Sequence, residues 1–526
     1  MRSSSLRGES LMKLSHALRF SSSLCLALVG AGGKTTALFQ LARELIAPTP
    51  SALHPSSLRL RSGQAFSLHP SRSSLYPCVL VTATTHLHVN QIELADSHWI
   101  ARKPEDFAQL EDNLRGVVLV TGLIGGDRTK GVDKSILYWL HEVAQNRNIP
   151  LLIEADGSRQ RPLKAPAEHE PAIPEFVETV VVVAGLSGLG KPLTAKHVHR
   201  PEIFARLSGL EIGDTVMPEA VVSVLAHSAG GLKNIPPNAR RVALLNQANT
   251  PELHAQANRM AGQLLSCYHA VIIASLHPPS AICYKPTGTG HPSTAAAKSA
   301  ASAQGGHPLS AISHPPSTIY AVHEPVAGII LAAGASERLG QPKQLLDWRG
   351  QPFIRTVAQT ALAADLSPVI VVTGSHAEQV EAAIMDLPVK IIRNRDWQSG
   401  QASSIQAGLS ALTPAPLPPR PSLRIGAAIF LLADQPQVTP SVLRALVERH
   451  SLDLSLIVAP QVQGQRANPV LFDRVTFPDL LALTGDVGGR GIFSKHHVTT
   501  LPWHDESLLL DVDTPEDYKR LEGWAS

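Results

Sequence analysis

The chain has 526 residues, a length that predicts three to four ordinary domains or two large ones. Its 46 basic and 43 acidic residues leave a net charge of +3, which gives no sign of nucleic acid or a membrane surface as a partner. The four cysteines show no C-x-x-C spacing, so a disulfide scaffold is excluded and a cytoplasmic location is favoured. No apolar run is long enough for a membrane helix.

Three segments rich in proline, serine or histidine lack any apolar period and divide the chain: 48–77, 277–323 and 414–421. Such segments cannot bury enough surface to offset the entropy of ordering. The predicted organisation is a flexible extension over 1–21, a first domain over 22–276 with a low-complexity insertion at 48–77, a linker over 277–323, and a second domain over 324–526 that carries the shorter insert.

Between these segments, short apolar runs rich in β-branched residues alternate with helical patterns, which predicts buried parallel sheets. The predicted strands are 24–29, 78–83, 117–121, 150–155, 179–184, 241–246 and 270–274, followed after the linker by 326–332, 368–373, 389–393, 426–432 and 455–459. We therefore expect the α/β class, as two three-layer α/β/α domains with mainly parallel sheets.

A glycine-rich loop, GAGGKTT at 30–36, follows the first strand and opens a helix. Glycines let backbone N–H groups approach phosphates, the lysine reaches a β- or γ-phosphate, and the threonine binds Mg²⁺. Carboxylates in LLIEADG at 151–157 end another strand, where a bound nucleotide would meet them. The predicted nucleotide-binding residues are Gly30, Gly32, Gly33, Lys34, Thr35, Thr36 and Asp156, with Thr35 also a metal ligand. Leu28 replaces a glycine of the full P-loop pattern, so a plain glycine-rich turn with a surface lysine stays open.

Several segments of the first half share one resemblance. In chain order, they are GAGGKTT, TATTH, IEADGSRQRPLKAPAEHEPAIP, GLSGLGKPL and HRPE. Together they resemble the selenium-dependent hydroxylase accessory (YqeC-like) family over nearly all of 22–276 outside the insertion. The resemblance implies a P-loop-like domain that binds ATP or GTP and serves a molybdenum hydroxylase apoenzyme. Asn246-Gln-Ala-Asn249 replaces the N-K-x-D sequence that reads guanine in GTPases.

The strand at 326–332 ends in LAAGASERLGQPK, whose small residues allow the loop to wrap around a nucleoside triphosphate. Cations in this loop neutralise phosphate charge, and acidic residues at two further strand ends suit Mg²⁺. The predicted catalytic residues are Arg338, Lys343 and Asp434, the metal ligands are Asp434 and Asp513, and the nucleotide-binding residues are Leu331, Ala332, Ala333, Gly334, Ser403 and Ser404. Taken singly, any of the aspartates could instead cap a helix.

The second half carries the segments LAAGASERLGQPKQLL, SGQASSIQAGL, LLADQP, GDVGGRG and DVDTPEDY. Over 325–523 they resemble the MobA-like nucleotidyltransferase family, most closely its molybdenum cofactor cytidylyltransferases. The resemblance implies transfer of CMP from CTP, with Mg²⁺, to a molybdopterin-type cofactor and release of pyrophosphate. The LAAG form, rather than LAGG, favours the cytidylyl branch, whereas Ala467 departs from the family's Gly before Asn468 in a loop expected to face the pterin.

Two alternatives remain open at this stage. The second half could be a sugar-phosphate or polyol-phosphate nucleotidyltransferase with the same triphosphate loop. The first half could be a nucleotide-binding cofactor-insertion chaperone without catalytic activity. The preferred interpretation is a fused enzyme of molybdenum cofactor maturation.

Overall fold

The computed structural model describes residues 12–20, 25–46, 76–103, 114–277, 317–335, 341–412 and 425–525. Residues 48–75 of the predicted insertion at 48–77, the predicted insert at 414–421, residues 278–316 of the predicted linker at 277–323 and the predicted catalytic Arg338 lie outside these ranges. Tyr76, at the end of the predicted insertion, is buried.

The first half is built on a sheet of nine described strands in the order β13-β12-β11-β9-β1-β7-β2-β4-β3. Two small pairs lie beside this sheet: β5 with β6, which are antiparallel, and β8 with β10, which are parallel. The strands of the first half are β1 Cys25–Gly30, β2 Cys78–Ala83, β3 Ser97–Ile100, β4 Gly116–Thr121, β5 Ile124–Gly125, β6 Arg128–Thr129, β7 Leu151–Glu154, β8 Leu163–Lys164, β9 Thr179–Gly185, β10 Val198–His199, β11 Arg240–Asn246, β12 Ala270–Ser275 and β13 Thr318–His323. The helices are α1 Leu14–Ala17, α2 Lys34–Ile46, α3 Lys134–Arg147, α4 Pro201–Ser208, α5 Pro218–Ala226 and α6 Pro251–Leu264. All pairings in the large sheet are parallel except that of β12 with β13.

This sheet is buried on both faces because its side chains alternate between two apolar cores. Along β1, Ala27 and Val29 belong to the core under α3 to α6, while Leu26 and Leu28 belong to the core under α1 and α2. The alternation follows from the two-residue period of a strand. It produces the three-layer arrangement expected from the sequence.

The second half repeats this plan on an eight-stranded sheet with the order β18-β17-β14-β19-β22-β20-β21, and β23 paired to β20. The strands, including a small hairpin, are β14 Val326–Ala332, β15 Asp347–Trp348, β16 Gln351–Pro352, β17 Val369–Thr373, β18 Lys390–Arg393, β19 Ala427–Leu432, β20 Ile457–Val462, β21 Gln465–Arg466, β22 Val470–Asp473 and β23 Val498–Pro502. The helices are α7 Phe353–Ala363, α8 Ala377–Ala382, α9 Gln401–Ser410, α10 Pro440–Asp453, α11 Phe477–Leu481 and α12 Pro515–Ala525. Two apolar cores again cover the two faces.

Each predicted strand is present with its ends within two residues, except that β20 extends three residues further, to Val462, and the α/β class is confirmed. The strands of the two large sheets that were not predicted are β3, β13, β21, β22 and β23, and the short strands outside these sheets were not predicted either. The insertion of β22 between β19 and β20 makes both of its pairings antiparallel, so the second sheet is mixed.

Two predicted boundaries were wrong. Residues 318–323, assigned to the linker, form β13, which pairs with β12 and completes the edge of the first sheet. The supposedly flexible extension contains α1, whose Leu14 and Ala17 are buried. The N–H groups of Leu14 and Ser15 donate to the Glu44 carboxylate at 3.1 and 2.7 Å, which fixes α1 on α2.

The two halves contact each other directly. Helix α10 of the second half lies on β13 of the first, and Leu454 just after it is buried in a core of the first half. Within the described ranges, no helix is long and apolar enough to cross a membrane.

Candidate nucleotide sites

The loop between β1 and α2 has a backbone that requires glycine. Gly30, Gly32 and Gly33 all have positive φ, at 95°, 86° and 120°. A Cβ added to Gly32 would lie 2.4 Å from the backbone of Gly185 and 2.7 Å from the carbonyl oxygen of Pro162. These approaches leave no room for a side chain, so the glycine pattern is explained by packing as well as by access to a ligand.

Lys34 is almost completely buried and is held by two acidic residues. Its Nζ donates to the Gly30 carbonyl at 2.7 Å and lies 3.1 Å from Asp156 and 3.7 Å from Glu154. Burial alone would lower the pKa of Lys34, but the two carboxylates raise it above its usual value. The lysine is therefore a fixed positive charge at the base of the loop and not a surface lysine.

Glu154 and Asp156 have different surroundings. Thr35 Oγ1 donates to Glu154 Oε2 at 2.8 Å, and both side chains line the open cleft beside the loop. Asp156 instead accepts the N–H of Gly30 at 3.0 Å and pairs with Lys164 at 2.8 Å. Burial raises the pKa of Glu154, and Lys34 and Thr35 only partly offset this effect.

Thr35 and Glu154 thus form the pair of oxygen donors that would fit a nucleotide-bound Mg²⁺. Asp156, which the sequence reasoning chose, shapes the loop from beneath. Glu154 stands in the same LLIEADG segment, but strand-end position alone does not tell which carboxylate faces the cleft.

The cleft has a volume of about 980 Å³. Gly32, Gly33, Lys34, Thr35 and Thr36 line one side of it. Asn246 does not line the cleft: its amide donates to the Gly32 carbonyl at 2.8 Å and its oxygen accepts the N–H of Leu276 at 2.9 Å. The N-Q-x-N segment therefore fastens the loop to the sheet.

In the second half, three predicted residues meet at the carboxyl ends of the strands. The Lys343 ammonium contacts Asp434 directly and lies 3.1 Å from Asp513. Burial alone would lower the pKa of Lys343, but both carboxylates raise it. The next residue, Gln344, donates to the carbonyl oxygens of Ala332 and Gly334 at 3.3 and 2.8 Å and so anchors the loop after β14.

One carboxylate oxygen of Asp434 makes no hydrogen bond within the described residues. Its Oδ1 is buried and has no hydrogen-bond partner in the described part of the chain. Nearby, Asp511 has a raised pKa because of burial and the charge of Asp434. An orphaned buried oxygen beside two further carboxylates is the donor chemistry that suits Mg²⁺. Among the described residues, however, no group of three or more His, Cys, Asp or Glu is arranged to hold a metal ion. A metal ion at this site would therefore also need oxygen ligands from the phosphates of a nucleotide.

Comparison with known proteins assigns a family to each half. The YqeC protein family matches residues 66–202, and the MobA-like NTP transferase domain matches residues 328–500. YqeC of Escherichia coli is 32% identical over 231 residues, which are 42% of this chain and 75% of that protein. Nicotine blue oxidoreductase of Paenarthrobacter nicotinovorans is 32% identical over 207 residues, covering 37% of this chain and 96% of that protein.

The chain belongs to the YqeC family in its first half and to the MobA-like NTP transferase family in its second. The molybdenum cofactor cytidylyltransferase of Escherichia coli is a more distant relative, with 24% identity over 36% of this chain and 92% of that enzyme. The second half is accordingly a nucleotidyltransferase domain.

Not every predicted residue of the MobA-like half reaches a cleft. Ser403 and Ser404 both accept hydrogen bonds from Asn394, at 2.8 and 3.1 Å, and Ser403 also donates to the Gly400 carbonyl. Their hydroxyls therefore stabilise the start of α9. A cleft of about 240 Å³ lies nearby, and its polar lining residues are Gln401, Asn468, Arg490 and Asp511.

Leu331 lines this smaller cleft, whereas Ala332, Ala333 and Gly334 do not. Gln401 and Arg490 belong to the SGQASS and GDVGGRG segments noted above, but residue type alone did not single them out. They are stronger candidates for ligand contact than the two serines.

Proposed function

We propose that the MobA-like half transfers CMP from CTP to the terminal phosphate of a molybdopterin-type cofactor. The observation that carries the proposal is the meeting of Lys343, Asp434 and Asp513 beside the loop that follows β14. An acceptor phosphate oxygen would attack the α-phosphorus of CTP, and the bond to the β-phosphate oxygen would break to release pyrophosphate. Mg²⁺ held by Asp434 and Asp513 would supply charge neutralisation on the phosphates.

Lys343 would then move its ammonium from the carboxylates to the phosphates. A cation that starts beside the metal ligands can stabilise the negative charge that grows on the departing pyrophosphate. Arg338, in the same loop segment, remains a proposed second cation. The similarity to the molybdenum cofactor cytidylyltransferase supports a molybdopterin-type acceptor. The LAAG segment supports CTP over GTP as the nucleotide donor.

The test is pyrophosphate release by the full chain with Mg²⁺, molybdenum cofactor and each NTP in turn. We expect release with CTP, and a loss of at least about 100-fold in Asp434→Ala, the size typical of removing an electrostatic catalytic group. Asp386→Ala is the matched control, because Asp386 pairs with Arg355 on the surface. Turnover only with a sugar phosphate or polyol phosphate as acceptor would favour the alternative transferase, and no release with any NTP would refute the proposal.

For the YqeC-like half we propose Mg²⁺-dependent binding of ATP or GTP at Gly30–Thr36. The fixed charge of Lys34 and the paired donors Thr35 and Glu154 support it. Partnership with a molybdenum hydroxylase apoenzyme is part of the same proposal and rests on the family resemblance. Whether the half hydrolyses the nucleotide decides between an enzyme and an insertion chaperone.

Glu154→Gln and Asp156→Asn separate the two acidic residues. Glu154→Gln should abolish the Mg²⁺-dependent part of the nucleotide-induced thermal shift while leaving the thermal midpoint of the free protein close to that of the wild type. Asp156→Asn should lower that midpoint, because it leaves Lys34 and Lys164 with less compensation in a buried site. Equal behaviour of the two variants would contradict the assignment.

A further inference from the structure

The cleft of the YqeC-like half is larger than its nucleotide loop requires. Its volume of about 980 Å³ stands near the top of the range of roughly 300–1,000 Å³ that small-molecule sites occupy. The loop residues Gly32–Thr36 line one side. The rest of the lining comes from other segments, among them Gly157–Arg161 and His199–Glu202.

The segment from Gly157 to Arg161 is held directly against the nucleotide loop. Lys164 Nζ donates to the Gly157 carbonyl at 2.6 Å, and the N–H of Gly185 donates to the Pro162 carbonyl at 2.9 Å. The same Pro162 oxygen is the atom that leaves no space for a Cβ on Gly32. The segment is thus fastened at both ends, and its middle projects beside the loop that would hold the nucleotide phosphates.

Two arginines stand in this middle part and line the cleft. Arg159 has a φ of 48° and Gln160 a φ of 58°, a left-handed backbone that is uncommon for residues other than glycine. Strained conformations of this kind are concentrated at functional sites. Among the described residues, no carboxylate forms an ion pair with Arg159 or Arg161, so both guanidinium groups are available to a ligand.

The neighbouring wall holds two further cations, both of them paired with acids. Arg200 donates to both oxygens of Glu170, at 2.8 and 2.9 Å, and Lys164 contacts the same carboxylate at 2.7 Å. Lys164 also pairs with Asp156 at 2.8 Å, so these two cations are compensated by two acids and leave no carboxylate free for Arg159 or Arg161. His199 lies next to Arg200. Burial and the charges of Arg200 and Lys164 lower the pKa of His199 to about 4, so its ring is neutral at physiological pH.

We propose that Arg159 and Arg161 bind the phosphate group of a second, phosphorylated small molecule beside the nucleotide. Arginine suits this role because its planar guanidinium can bind two phosphate oxygens at once. The inference extends the proposed nucleotide site, since it makes the cleft a two-ligand site. A cleft of this size fits a small molecule.

The test follows the ³¹P line width of inorganic phosphate and of methyl phosphate during titration with the full chain. It is done with free protein and with protein saturated by Mg²⁺ and a non-hydrolysable ATP or GTP analogue. We expect line broadening in the nucleotide-saturated protein. The double variant Arg159→Ala/Arg161→Ala should weaken the phosphate affinity about tenfold or more, because charged hydrogen bonds are lost.

Arg206→Ala is the matched control, because Arg206 is an exposed arginine on α4 that does not line the cleft. Displacement of phosphate by the nucleotide analogue would overturn the proposal, since the arginines would then serve the nucleotide itself. Absence of broadening, or equal weakening in Arg206→Ala, would overturn it too. If phosphate binds through the two arginines but no analogue binds, the phosphate site at Arg159 and Arg161 stands, whereas the proposed nucleotide function and the two-ligand site fail.

Discussion

At the scale of single residues, Lys343 occupies the place where a metal ion would be expected in the MobA-like half. Its ammonium lies between Asp434 and Asp513 and compensates two carboxylates that would otherwise repel each other. Because an ammonium and a divalent cation compete for the same oxygens, Lys343 should oppose metal binding until a nucleotide draws it away.

We predict that Lys343→Met binds Mn²⁺ about tenfold more tightly than the wild type in the absence of nucleotide, a gain of ~1.4 kcal/mol. The same variant should lose pyrophosphate release, because the cation that stabilises the phosphates is gone. Mn²⁺ titration followed by electron paramagnetic resonance checks the first part. Lys343→Arg keeps the positive charge and should bind Mn²⁺ no more tightly than the wild type; an unchanged affinity in Lys343→Met would show that the lysine and the metal do not share the site.

Residue type and motif spacing pointed to several of the side chains that the structure brings together at the two sites. Lys34, Thr35 and Asp434 stand shortly after strands whose ends the apolar pattern marks, whereas Lys343 and Asp513 were identifiable from their motifs alone. The direction of a side chain at the strand end was not predictable, which is why Asp156 was preferred to Glu154. Ser403 and Ser404 misled for a related reason: a hydroxyl near a site is as readily used by the local backbone as by a ligand.

At the scale of elements, the small parallel pair of β8 and β10 depends on one carboxylate. Glu170 joins Lys164 of β8 to Arg200, which directly precedes α4. Burial alone would raise the pKa of Glu170, but hydrogen bonds from Arg200 and Lys164 lower it to about 2. The ionised carboxylate is therefore favoured in the folded state, and the stability it provides is present above its unfolded pKa of about 4.3.

We predict that Glu170→Gln lowers the free energy of unfolding by at most ~3 kcal/mol at pH 7. The difference from the wild type should shrink as the pH falls from about 4.5 towards the folded pKa of about 2, because the wild-type carboxylate then becomes protonated. Calorimetric midpoints of both proteins between pH 7 and pH 3.5 check this. A difference that stayed constant or grew on acidification would contradict the ionic role of Glu170.

The elements that could be predicted are those whose own sequence shows that they are buried. The strands β1, β2, β9 and β14 read as apolar runs because both of their faces are covered. The missed elements β13 and α1 are stabilised by contacts with distant parts of the chain: β13 pairs with β12, and α1 depends on Glu44. The apolar periodicity of such a short segment is too weak to predict a strand or a helix.

At the scale of the whole molecule, a buried cluster of charges joins the two halves. Arg19 donates to Glu324 at 2.7 Å and to both oxygens of Asp473 at 2.9 and 2.6 Å. Arg240 reaches Glu324 from the first sheet at 3.0 Å, and His450 reaches Asp473 from α10 at 2.8 Å. Burial alone would raise the pKa of Asp473, but hydrogen bonds from His450 and Arg19 lower it to about 2.

Arg19 ties residues 12–20 to both halves. Its guanidinium bridges a carboxylate at the junction between β13 and β14 and a carboxylate at the end of β22, so it contacts both sheets through their acidic partners. Removing one member of such a cluster leaves a buried charge without full compensation, which destabilises more than the loss of any surface pair. The cluster should therefore make the two halves unfold together.

We predict that Arg19→Met lowers the free energy of unfolding by ~3–5 kcal/mol and separates the unfolding of the two halves into distinct calorimetric transitions. Scanning calorimetry of the full chain measures both effects at once. Arg355→Met is the matched control, because Arg355 forms an exposed pair with Asp386 within the second half and should leave the transition unchanged. A single transition at the wild-type midpoint in Arg19→Met would show that the apolar contact between α10 and β13 holds the halves together without the charges.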